Sequence, residues 1–147
     1  MLFSEAKGHK VVSSSTAETV GKVSAFVVDP ATRAVLAVKV KKSDAGDFLR
    51  WSDLLAFGAD AVTVTEASCI GDGGPDVKAL TGRSRAILGK RVLTSGGDEL
   101  GKVHDVDFDP ETGTITALVL GKGGSGEVAG DRLVGIGSYA VVVRETP

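Results

Sequence analysis

Gly101-Lys102-Val103-His104-Asp105-Val106-Asp107-Phe108-Asp109-Pro110-Glu111-Thr112-Gly113 decides the fold, because Gly21-Lys22-Val23-Ser24-Ala25-Phe26-Val27-Val28-Asp29-Pro30-Ala31-Thr32-Arg33 has already said nearly the same thing. Working outward, Ala37-Val38 answers to Ala117-Leu118, and Gly8, Val11 and Ser14 answer to Gly89, Val92 and Ser95. Downstream, the stretch from Leu54 to Val62 answers to the stretch from Leu133 to Val141. Corresponding blocks lie about eighty residues apart, so the repeating unit is a domain rather than a solenoid turn. What recurs is turn chemistry and apolar pattern, with no constellation of reactive groups.

The turns are the best-specified part of each copy. In Asp109-Pro110-Glu111-Thr112-Gly113, proline presets φ, the aspartate side chain caps the turn and glycine takes a left-handed conformation, which predicts a hairpin with a bulge. The first copy has Arg33 where glycine would be easier, which predicts a strained or differently shaped turn. Short β-branched runs between turns predict strands at Lys10 to Ser13, Gly21 to Asp29, Arg33 to Val40, Phe48 to Trp51 and Ala61 to Thr65. The series repeats at Arg91 to Thr94, Gly101 to Asp109, Thr114 to Leu120, Glu127 to Val128 and Ala140 to Glu145.

The expectation is an all-β chain of two tandem small antiparallel β-barrels, since closure best removes exposed edges from so few short strands. One helical turn introduces each, at Ser4 to Gly8 and Ser84 to Lys90. The first domain spans residues 1–66 and the second 83–147. Between them, residues 67–82 contain Gly71-Asp72-Gly73-Gly74-Pro75 and read as a Gly-rich linker. A unit of about 65 residues is marginal alone, so the two halves are expected to pack on each other.

A formal net charge of −2 argues against a mainly electrostatic nucleic-acid binder. Cys69 is the only cysteine, which excludes an intramolecular disulfide, and its Gly-rich setting reads as an incidental thiol. The first ten residues have no apolar signal core and no stretch approaches a spanning helix, so the chain reads as cytoplasmic and soluble.

Several apparent chemical motifs fail on their neighbours. Gly96 to Lys102 has phosphate-loop spacing, but Val103 stands where Ser or Thr should bind Mg²⁺ and no helix is predicted to follow. Gly121 to Gly126 reads as a hairpin tip rather than an anion cradle. Asp105, Asp107 and Asp109 begin like a calcium loop, yet Pro110 replaces the required glycine, and alternation makes the three carboxylates a solvated strand face. His9 and His104 occupy non-equivalent positions and, with one cysteine, make neither a zinc cluster nor a catalytic pair. No catalytic, cofactor or metal residue is assigned.

The lead-in turn, the first short strand, the polar turn, Gly-Lys-Val, the Asp-Pro-x-Thr hairpin and the closing apolar strand together resemble the PRC-barrel superfamily, twice over. Trp51-Ser52-Asp53-Leu54 through Gly58-Ala59-Asp60-Ala61-Val62 is similar to a segment of its small sporulation-type members. The resemblance covers most of the chain outside the linker, although Trp51 has no aromatic counterpart near Gly130. It implies barrels like those of the photosynthetic reaction-centre H subunit and the 16S rRNA ribosome maturation factor, which are docking modules without catalytic centres. The chain lacks the membrane helix of the one and the RNA-associated domain of the other, so neither pathway carries over.

Function therefore reads as a non-enzymatic adaptor that docks a protein partner. Phe48, Arg50 and Trp51 are the candidate partner-binding residues: two large aromatics, with Arg50 in the polar rim that Asp47 and Ser52 complete. The competing use of the two rings is to cap their own barrel or pack on the second. An RNA- or ribosome-associated assembly factor using Lys39, Lys41, Lys42 and Arg50 is the alternative reading, and a small-ligand carrier using the barrel ends is a third.

Overall fold

The computed structural model describes residues 1–121 and 126–145, without the side chain of Arg83. The first half carries helix α1 (Phe3–Ala6) and strands β1 (Lys10–Ser13), β2 (Thr19–Asp29), β3 (Ala34–Lys41), β4 (Phe48–Arg50), β5 (Leu54–Phe57) and β6 (Ala61–Val64). Helix α2 (Pro75–Ala79) lies between the halves. The second half carries β7 (Arg91–Thr94), β8 (Glu99–Phe108), β9 (Ile115–Leu120), β10 (Gly126–Ala129), β11 (Leu133–Ile136) and β12 (Ala140–Val143).

Two six-stranded sheets result, in the equivalent orders β4-β3-β2-β1-β6-β5 and β10-β9-β8-β7-β12-β11. Among the described residues no backbone pairing joins the end strands of either sheet. The expected pure antiparallel pattern needs correction, because β1 runs parallel to β6 and β7 parallel to β12. The closing strand of each copy returns beside the opening one in the same direction, and β5 or β11 supplies its antiparallel neighbour.

The elements form because valine-rich alternation buries one face. Val11, Val23, Val38, Leu49, Val62 and Val64 point inward, and so do their counterparts Val92, Val103, Leu118, Val128, Val141 and Val143. Register slips recur at equivalent places, between Val23 and Ala25 and between Val103 and Asp105 for example, so both copies bend alike. Both Asp-Pro turns are made identically: Asp29 and Asp109 accept from the amides of Ala31 and Glu111, while Arg33 and Gly113 donate back to the Asp29 and Asp109 carbonyls. Arg33 adopts φ 57°, so the first turn keeps its sibling's shape in a left-handed conformation that costs a non-glycine residue about 1 kcal/mol.

The halves pack together through these turns. Ala34 bridges Thr114, with the Val35 amide on the Gly113 carbonyl at 2.8 Å and the Ile115 amide on the Arg33 carbonyl at 2.9 Å. Each bond joins positions equivalent to those of the other, which places a local two-fold axis between the hairpins. One apolar core runs through both halves, and its aromatic centre sets Phe108 against Phe3, Phe26, Phe57 and Trp51.

The stretch read as a linker is structured. Gly71 exchanges two backbone hydrogen bonds with Phe48, and Gly74-Pro75 starts α2, whose Val77 is fully buried on the outer face of the first sheet beside Val27 and Ala37. No helix is long and apolar enough to cross a membrane among the described residues.

Candidate functional site

Phe48, Arg50 and Trp51 end up in two different intramolecular settings. Phe48 and Arg50 share the outer face of β4, where Phe48 packs on the cluster formed by Val27, Ala37 and Val77. The guanidinium of Arg50 grips Asp76 of α2 through two bonds of 2.7 and 2.8 Å and also donates to the Gly73 carbonyl at 2.7 Å. That hydrogen-bonded pair holds the Asp76 carboxyl down at about 2 despite its exposure. Trp51 turns the other way. Its ring stacks on Phe57 at 5.6 Å, meets Phe108 edge-on at 6.1 Å and lies so close to Gly113 of the second half that a Cβ there would stand 2.9 Å from the indole. Sequence placed these side chains together on one surface; the fold spends them on the covering helix and on the seam between halves.

The acidic series is likewise structural. Asp105 is buried and accepts from the Ser4 hydroxyl and, at 3.2 Å, from the Ser4 amide. Asp107 takes the Met1 ammonium at 2.9 Å, and Asp109 caps its turn. The expected solvated face is therefore a docking edge for the N-terminal segment. Gly96 sits in the β7–β8 turn under the Glu145 carboxylate, whose Oε1 would be 2.3 Å from a Cβ at that position, a poor mouth for phosphate. Lys122 to Ser125 of the second glycine-rich motif lie outside the described residues. His9 lies against Phe57 at 5.9 Å with Nε2 buried and without a hydrogen-bond partner, whereas His104 is exposed beside Asp105. Cys69 ends a 3₁₀ turn and packs partly on the core. No group of three or more His, Cys, Asp or Glu able to hold a metal occurs among the described residues.

Exposed large apolar side chains lie elsewhere, Leu55 on the first sheet, Leu88 ahead of β7, and Val134 and Tyr139 on the second sheet and its β11–β12 turn. Tyr139 is 66% exposed and Val134 50%. The Arg91 guanidinium lies 4.5 Å from the centre of the Tyr139 ring, donates to its hydroxyl at 3.1 Å and pairs with Glu99 at 3.5 Å, so the ring stands out from the sheet in a fixed pose. Beside it, Leu93, Val142 and Gly135 form a cross-strand row on the outer face, the floor of a shallow hollow of about 460 Å³. The first copy has Val12, Thr63, Ala56 and, for the tyrosine, Asp60. The signal was present in the sequence as apolar residues on both faces of β7 and β12.

Residues 82–145 match the family model of the PRC-barrel domain. This half of the chain is similar to a PRC-barrel domain. No curated protein matches the chain. The matched PRC-barrel region begins beside the 3₁₀ turn Arg83–Arg85 and ends just beyond β12, so it contains the whole second sheet together with the Arg91–Tyr139 surface. The first half repeats the strand order and bulges of that matched region.

Proposed function

We propose that the chain is a non-enzymatic cytoplasmic adaptor made of two PRC-barrel modules in tandem, and that it docks a protein partner through the Arg91–Tyr139 face of the second. One observation carries the reading: a two-thirds exposed tyrosine held in place by an arginine, at the rim of an apolar hollow. Tyrosine and arginine are favoured interface anchors, and a side chain already fixed in one pose loses little entropy when it is covered. The polar groups that sequence offered for chemistry support the non-catalytic part, since Asp105, Asp107 and Asp109 are engaged in holding the chain together. Arg50, counted in the basic patch of the RNA reading, is held by Asp76.

The test is affinity purification from the native source with the full chain and its Tyr139→Ser variant, using Trp51→Ala as an interior control. A discrete protein retained at moderate salt by the parent and by folded Trp51→Ala, and lost with Tyr139→Ser, is the expected result. An unchanged partner profile with Tyr139→Ser would remove this surface from the proposal.

A further inference from the structure

Backbone register aligns three lysines on the first sheet. Lys10 of β1 lies directly opposite Lys22 of β2, and Lys22 directly opposite Lys41 of β3. Their chain neighbours Val11, Val23 and Val40 are buried, so the lysines share the outer face, and alternation adds Lys39 to it. Adjacent strands lie ~4.8 Å apart, so the row packs three like charges into roughly 10 Å. Like charges directly opposite one another destabilise a sheet. None of the four is in an ion pair among the described residues.

The second sheet shows what a neutralised version looks like. Arg91 and Lys102 are paired as Lys10 and Lys22 are, but Arg91 is matched by Glu99, and the third position is Gly121. The first sheet has Thr19 in place of Glu99 and keeps the full row.

We propose that this row is a docking site for a short acidic segment of a protein partner. Carboxylates supply the missing counter-charge, and the aromatic beside the row, Phe48 opposite Lys39, is packed on Val27, Ala37 and Val77, whereas single-strand binding uses aromatic faces free to stack successive bases. Asp44 and Asp47 follow Lys41 in the β3–β4 connection and limit the site to a few anionic groups, where a long phosphate backbone would be repelled. The overall charge of −2 likewise provides no long-range attraction for nucleic acid. The site is separate from the Tyr139 face and stands or falls independently of it.

Titration of the isotope-labelled full chain with hexaglutamate, followed by amide NMR, tests the proposal, with hexauridylate as the parallel probe. Shifts should centre on residues 10, 22, 39 and 41, and affinity should fall about tenfold between low and physiological salt through screening. The double variant Lys22→Gln/Lys41→Gln should bind about tenfold more weakly while keeping a dispersed spectrum, because each exposed charge pair contributes only a few-fold and two are lost together. Lys102→Gln and Tyr139→Ser should bind like the parent. Absence of shifts at millimolar peptide, shifts centred elsewhere, affinity unaffected by the double variant, or tighter binding of hexauridylate would each overturn it.

Discussion

The first and second modules follow the same path yet solve the same positions with opposite side chains. At the turn residue the first has Arg33 and the second Gly113; at the start of the 3₁₀ turn after the fourth strand the first has Trp51 and the second Gly130. The large residue of one module meets the small residue of the other where Trp51 lies on Gly113, and Arg33 reaches back with Nε to donate to the Leu133 carbonyl at 2.8 Å. A symmetric seam would have forced two tryptophans or two glycines. Hydrogen-bonded turns and buried valines give the two modules one shape, while the residues at the seam differ as complementary pairs.

Gly130→Ala is the harshest way to probe that comparison. A Cβ there would stand 1.9 Å from the Ile115 carbonyl oxygen, so β9 must move, and denaturant unfolding should show a loss of about 3 kcal/mol. Gly135→Ala, pointing into open space in the neighbouring strand, should stay within about 0.5 kcal/mol of the parent. Trp51→Ala should cost about 2 to 3 kcal/mol by the same measurement, since it removes a partly buried ring from Phe57, Phe108 and Gly113. A loss below about 0.5 kcal/mol would show that the ring does not bind the modules together.

The turn pair sharpens the contrast. Gly113→Ala should cost about 2 kcal/mol, through φ +81° and the indole above it. Arg33→Gly should be close to neutral, because relief at φ 57° offsets loss of the bond to Leu133, and it should be about 1 kcal/mol more stable than Arg33→Ala. Equal effects at the two positions would mean that the modules are interchangeable there.

The smallest expected effect concerns the covering helix of the first module. Asp76 is held at about 2 by Arg50, below its ordinary 3.8, so the pair's contribution is complete above about pH 4 and is lost as pH falls through about 2. Carboxyl NMR should give a midpoint near 2, moving back toward 3.8 in Arg50→Gln. An unmoved midpoint would assign the depression to another cause.

Much of this architecture was legible, for reasons that also mark where legibility ended. Asp-Pro turns and alternating valines fix hairpins locally, which is why the strands around residues 29–33 and 109–113 were readable. Leu54–Phe57 and Leu133–Ile136 escaped because each has a register slip that exposes Leu55 or Val134 and breaks the alternation. Helix α2 was overlooked inside a glycine-rich composition, although Pro75 after Gly74 is a favoured helix start. The candidate site was less legible. Composition marks Phe48, Arg50 and Trp51 as good at making contacts, but whether those contacts are made within the chain depends on α2 and Gly113, both distant in sequence. The lysine row needed registers that no local pattern specifies.

The paired amides and carbonyls at Ala34 and Thr114 have a last consequence. Main-chain bonds are blind to side-chain identity, so this contact would serve two unlinked modules of this shape as well as it serves the joined pair. Two such bonds alone would let separate molecules drift apart. A tether changes the arithmetic by raising the local concentration of one module around the other to the order of millimolar. Once joined, each module can carry its own side chain at the seam, Trp51 on one side and Gly113 on the other, without having to recognise a copy of itself.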